Sequence, residues 1–116
     1  MRDLALVAAG AIAISVAIVH SVLLEFLVFP KLRMDSQGMG RIVHAVCQMS
    51  TVDWIAIAVL LMAAPWFGAP SARHWVIAAA VVVYGVAAAG NLWATRAPHP
   101  GWILMSCVVV LALMGL

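Results

Sequence analysis

Between Leu4 and Phe29 the chain carries one formally charged residue, Glu25. That run restricts the fold more than any other feature. About 20 apolar residues cross the roughly 30 Å hydrocarbon core of a bilayer as a helix. The run is also longer than the roughly 7–15 residue apolar core of a secretory signal, so it reads as a retained first helix. Three further apolar stretches follow, separated by segments marked with proline, glycine or charge.

Composition points the same way. Of 116 residues, 67% are hydrophobic and 9% charged, against roughly half and a quarter in average soluble domains. A soluble fold of this size cannot hide so much apolar surface, whereas a lipid bilayer solvates it as the chain's first partner. The net charge of +2 is small and scattered, which excludes nucleic acid as a partner. Cys47 and Cys107 both lie in apolar stretches and read as small apolar residues rather than a disulfide.

These signals predict one all-α domain over residues 1–116, a polytopic antiparallel bundle of four transmembrane helices at about 3–29, 38–64, 74–95 and 101–116. Pro30 and Pro65 end the first two runs, and Asp35 or Ser36 is placed to cap the second helix. Trp66 and Trp75 flank the second loop, as indoles do at a membrane interface. The fourth stretch is short, about 22 Å at the helical rise. The termini and the second loop share one side with Arg2 and Arg73, while Lys31, Arg33, Arg41 and Arg96 lie on the other. The positive-inside rule puts loops 1 and 3 in the cytoplasm and the termini in the periplasm. The expected location is the bacterial cytoplasmic (inner) membrane, as a multi-pass protein.

Ionisable groups within the spans need a reason, because Asp, Lys or Arg at a helix centre costs at least about 2.5 kcal/mol. The candidates are His20, Glu25, His44 and Asp53, with Gln48, Thr51, Tyr84 and Asn91 as uncharged company. His20 and His44 lie about 15 Å and 12 Å from the loop 1 end of their helices, and His99 sits just outside the fourth helix on that side. On an ideal helix 2, His44, Gln48 and Thr51 share a stripe within about 60°, and Asp53 lies about 180° from His44. Helix 2 is thus polar on two sides, which suits a central helix or one that touches its bundle on one side and another subunit on the other. Glu25 is about 140° round from His20 on an ideal helix, grouped with Ser21 and Phe29. It lies near the loop that carries Lys31, Arg33 and Arg41, where an ion pair with a loop arginine is the plain structural reading. Tyr84 and Asn91 share a face of helix 3 with Ala88 and read as polar glue between close-packed helices.

Three functional readings stay open. In the first, His20 and His44 bind haem b or a transition metal between helices 1 and 2, with His99 as a third cofactor ligand; imidazole is the commonest metal ligand, and paired histidines ligate haem in membrane b-type proteins. In the second, Glu25 or Asp53 handles protons or ions in an oligomeric proton-coupled transporter or channel. In the third, the chain is a membrane anchor or accessory subunit of a larger complex, and the histidines only make structural hydrogen bonds. A homo-oligomer or a larger membrane complex is expected as partner. The methionines are scattered rather than clustered for copper. No nucleophile–base pair, phosphate loop or metalloprotease pattern occurs, and no catalytic residue is assigned.

The stretch His20-Ser21-Val22-Leu23-Leu24-Glu25 and the tetrad His99-Pro100-Gly101-Trp102 resemble a group of small bacterial four-helix membrane proteins. Those carry His-Ser-x-x-x-Glu in the first helix, a histidine early in the second and His-Pro-Gly-Trp before the fourth. The resemblance implies that His20, Glu25, His44 and His99 belong to one recurring arrangement, and it brings no activity with it. In size, and in having an acid in helix 1, the chain is also similar to small multidrug resistance transporters, but their helix motifs are missing.

Overall fold

The computed structural model describes residues 1–33 and 36–116, all-helical and without a strand among them. The expected cap at Asp35 lies outside the described residues. Helix α1 (Arg2–Leu23) continues through a π turn (Leu24–Val28) and a 3₁₀ turn (Phe29–Lys31). Pro30 accounts for the irregular end. It has no N–H to donate, and its ring crowds the carbonyl four residues back. The helix widens to absorb this, so that the Phe29 N–H donates to the Leu24 carbonyl, five residues behind. The chain turns extended only at Leu32 (φ −77°, ψ 111°). Pro30 thus distorts the helix but does not end it.

Helix α2 (Gln37–Ala63) starts at Ser36, whose hydroxyl accepts from the Met39 N–H at 3.2 Å, and closes in a 3₁₀ turn, Ala64–Trp66. Helix α3 (Pro70–Thr95) begins four residues before the expected His74. Pro70 sits in its first turn, where a missing N–H costs nothing, so Arg73 belongs to the helix and not to the loop. Arg96 ends α3 in the left-handed region (φ 49°, ψ 21°) while its N–H bonds to the Leu92 carbonyl. Helix α4 (Pro100–Met114) has 15 residues. The segments Arg2–Lys31, Gln37–Trp66 and Pro70–Thr95 are long and apolar enough to cross a membrane, and α4 is apolar but shorter.

Helix α1 packs against α2 and α4, and α3 packs against α4 and, along a shorter seam, α2. The bundle measures 50 × 28 × 19 Å. At one end the starts of α1 and α3 meet the end of α4. There Arg73 Nη1 donates to Asp3 at 2.6 Å, and Nε and Nη2 donate to the Gly115 carbonyl at 3.1 and 2.8 Å. The guanidinium joins three helices and answers the partial negative charge at the C-terminus of α4. Both cysteines are free.

The interior combines a few large side chains, Leu6, Leu61, Ile77, Tyr84, Met105 and Val108, with many alanines. Ala5, Ala9, Ala13 and Ala17 of α1, Ala58 and Ala64 of the second segment, Ala80 and Ala88 of α3 and Ala112 of α4 are buried, while Phe26, Met49, Val52 and Trp93 point outward. Soluble proteins bury their large apolar residues; close approach of backbones over small residues is the habit of helices in lipid. One tight point is Gly10, where a Cβ would lie 2.6 Å from the Ala58 carbonyl oxygen and against Met62. Gly10→Val is therefore expected to destabilise the bundle by about 1–3 kcal/mol, read as denaturant-induced unfolding in detergent. Gly85→Ala, whose new methyl meets nothing within 4 Å, is the control and leaves stability at or above the parent value.

Candidate functional site

The distorted turn before Pro30 carries Glu25, and that decides its company. The Glu25 Oε1 accepts from His44 Nε2 at 2.7 Å and from Gln48 Nε2 at 2.7 Å. Gln48 Oε1 in turn accepts from the Ser21 hydroxyl at 2.8 Å. The result is a polar chain, Ser21–Gln48–Glu25–His44, that ties α1 to α2. Phe29 presents an edge-on contact to the His44 ring with centroids 4.5 Å apart. Glu25 and His44 are both about half exposed. Among the described residues the carboxylate makes no ion pair with an arginine, contrary to the plain reading of its place near loop 1. His44 is accessible from the recess it shares with Gln37, Gly40 and Arg41.

His20 stands apart from this chain. Its ring tilts against Trp54 with centroids 4.9 Å apart, and it makes no hydrogen bond among the described residues. The backbone carbonyl of Trp54 accepts from the hydroxyl of fully buried Tyr84 at 2.7 Å. His20 also lines a cavity of about 220 Å³ near the loop 3 end, between α1, α3 and α4, with Asn91 and His99 as the other strongly polar groups in its wall. The rest of that wall is mainly apolar: Val16, Val19, Leu23, Trp54, Leu104 and Met105. The structure therefore brings His20, Asn91 and His99 to one cavity and gives His44 to Glu25.

The tetrad His99-Pro100-Gly101-Trp102 has a local explanation. His99 caps α4, its Nδ1 accepting from the Gly101 N–H at 3.1 Å. Pro100 occupies the first helical position. Gly101 leaves room for the ring, since a Cβ there would lie 3.0 Å from Nδ1. Trp102 Nε1 donates back to the Ala97 carbonyl at 3.1 Å. A ring that accepts at Nδ1 holds its proton at Nε2, so His99 offers the cavity a donor. Asn91 uses Nδ2 on the Ala87 carbonyl at 2.9 Å, which leaves Oδ1 as an acceptor.

The other polar positions play different parts. Thr51 is buried and turns its hydroxyl towards the carbonyl of Cys47 on its own helix. Asp53 is exposed on the far side of α2 and has no ion pair among the described residues. No group of three or more His, Cys, Asp or Glu suited to a metal ion gathers among the described residues. The His20–Trp54 contact and the Arg73 junction were not anticipated from the sequence. Only Arg73 left a trace there, as a cation on the same side as Asp3. Comparison with protein-family models, with curated proteins and with solved structures returns no match.

A double-mutant cycle on Glu25→Gln and His44→Ala tests the α1–α2 tie. Each single change should weaken the bundle in detergent, and the second should cost less once the first is made. Additive losses would show that the two side chains stabilise the protein separately.

Proposed function

We propose that the chain is a multi-pass membrane protein that binds a small lipid-soluble molecule in the cavity lined by His20, Asn91 and His99. The carrying observation is the wall itself, mainly apolar, with His20, Asn91 and His99 placed to orient a ligand and the Ser15 hydroxyl engaged on the Ala11 carbonyl, which is the usual composition of a small-molecule site. The free donor on His99, the free acceptor on Asn91 and the unpartnered imidazole of His20 suit a polar head with a carbonyl or hydroxyl group. The body of the ligand would lie against Val16, Val19, Leu23 and Leu104. Membrane insertion is supported by three long apolar segments and by the many large apolar side chains left exposed on the outside of the bundle, among them Phe26, Val52, Val86 and Trp93. The charge bias supports loops 1 and 3 on the cytoplasmic side of a bacterial inner membrane, so the cavity would open near the cytoplasmic face.

A bare metal or haem held by His20 and His44 is less well supported. His44 would have to leave Glu25, and His20 would have to leave Trp54, before both could face one ion. If iron or another metal is held here, the cavity favours His20 with His99. A second reading rests on the Ser21–Gln48–Glu25–His44 chain: proton transfer at Glu25, coupled to transport in an oligomer. It predicts pH-dependent flux in liposomes that Glu25→Gln abolishes.

Organic extraction of the detergent-purified protein, followed by mass spectrometry, should release a lipophilic compound near one per chain. His20→Phe or His99→Ala should lower its occupancy roughly tenfold, the effect of losing one hydrogen bond in an apolar site. A haem absorption band, or one transition-metal ion per chain lost in those variants, would replace this reading with the cofactor one. No bound molecule in either form would remove both.

A further inference from the structure

We infer that the outward face of α2 docks a transmembrane helix of another protein that carries a lysine or arginine near its middle. The inference rests on the reading of α2 as a membrane span. Asp53 lies close to the midpoint of the segment Gln37–Trp66, and the Tyr84 hydroxyl reaches the neighbouring Trp54 carbonyl from the middle of α3. The Asp53 side chain is too short to reach either surface from there. It is exposed and makes no ion pair among the described residues.

Its surroundings form a seam. Ile42, Val46, Met49, Asp53, Ala56 and Leu60 follow one another at alternating spacings of four and three, and all six are exposed. That is the heptad repeat by which one helix packs along another, with a single polar position at its centre. Polar positions of this kind select a partner, because an unmatched carboxylate in hydrocarbon is costly and a matched one is not.

Charge identifies the partner's chemistry. All six lysines and arginines of this chain lie in loops or within five residues of a helical segment's end, so a second copy has none to offer at the depth of Asp53. Two copies joined through the same seam would set Asp53 against Asp53, and like charges in apolar surroundings repel. A foreign helix with a basic residue at mid-depth supplies both the apolar seam and the opposite charge. On this reading the protein is one subunit of a hetero-oligomeric membrane complex, with its ligand cavity on the opposite side of α2 from the partner.

The test uses the full chain in liposomes and three leucine–alanine transmembrane peptides that differ only in a central lysine, leucine or aspartate. Flotation of the vesicles first reports insertion; a chain that does not float with lipid overturns the membrane reading and this one together. In floated samples, fluorescence transfer between labelled protein and peptide should show the lysine peptide binding roughly tenfold tighter than the leucine peptide. Asp53→Asn and Asp53→Leu should both abolish that preference. No preference for lysine, or one that survives Asp53→Leu, overturns the inference and leaves the insertion result intact. Transfer between two labelled copies of the chain that Asp53→Leu removes would give the seam to a second copy, and also overturns it.

Discussion

The distance between α1 and α2 governs most of what this molecule can do. It is set near one end by Gly10, which lets the first helix settle onto the Ala58 carbonyl with Met62 beside it. Alanines at 13 and 17 continue the same close line along α1. Beyond them the two helices are near enough for side chains to bridge: Ser21 to Gln48, Glu25 to His44, and His20 against Trp54. A larger residue in the stripe would part the helices, and each of these contacts would lengthen. Small residues inside therefore come first, and polar contacts follow from them.

Pro30 adds a second constraint. By denying one backbone donor it widens the preceding turn, and the widened turn carries Glu25. Inside an apolar medium a freed carbonyl must be re-satisfied locally, and helix ends adjust their pitch to do so. The same adjustment re-aims the side chains it carries. Here the carboxylate faces α2 and gains two donors in place of a loop cation. π turns are frequent at functional positions, and this one separates the surroundings of His20 and His44. His44 belongs to a polar, half-exposed chain of hydrogen bonds, and His20 belongs to a mainly apolar cavity.

The two ends of the bundle differ in character. At one, Arg73 fastens three helices together through Asp3 and the last carbonyl turn of α4. At the other, the hydrogen bonds at the start of α4 among the described residues are those of its own capping tetrad, and the cavity lies beside it. Motion that admits a ligand is drawn from the less tethered end of a fold, and that is the end at which His20, Asn91 and His99 meet. Asp53 is exposed on α2 and takes no part in the cavity wall.

The number of helices and their rough extents were legible along the chain, because apolar runs and proline act locally and need no tertiary information. Ser36 as a cap and the separation of Asp53 from the His44 stripe were legible for the same reason, being matters of one helix. The start of α3 was not, since Pro70 and Arg73 look like loop until the first turn is seen to accept a proline. The site was half legible. His20, His44, Glu25 and Asn91 stood out as polar groups in apolar spans and His99 by its place beside the fourth, but their pairing did not. An ideal helix sets Glu25 well round from His20 and gives no hint of a π turn, and nothing local says that Trp54 will lie over one imidazole or Arg73 under α4. Composition and periodicity determined that this chain forms apolar helices, three of them long enough to cross a membrane. Which polar side chains then meet was decided only in three dimensions, because close packing at a glycine and the strain of one proline set where they point.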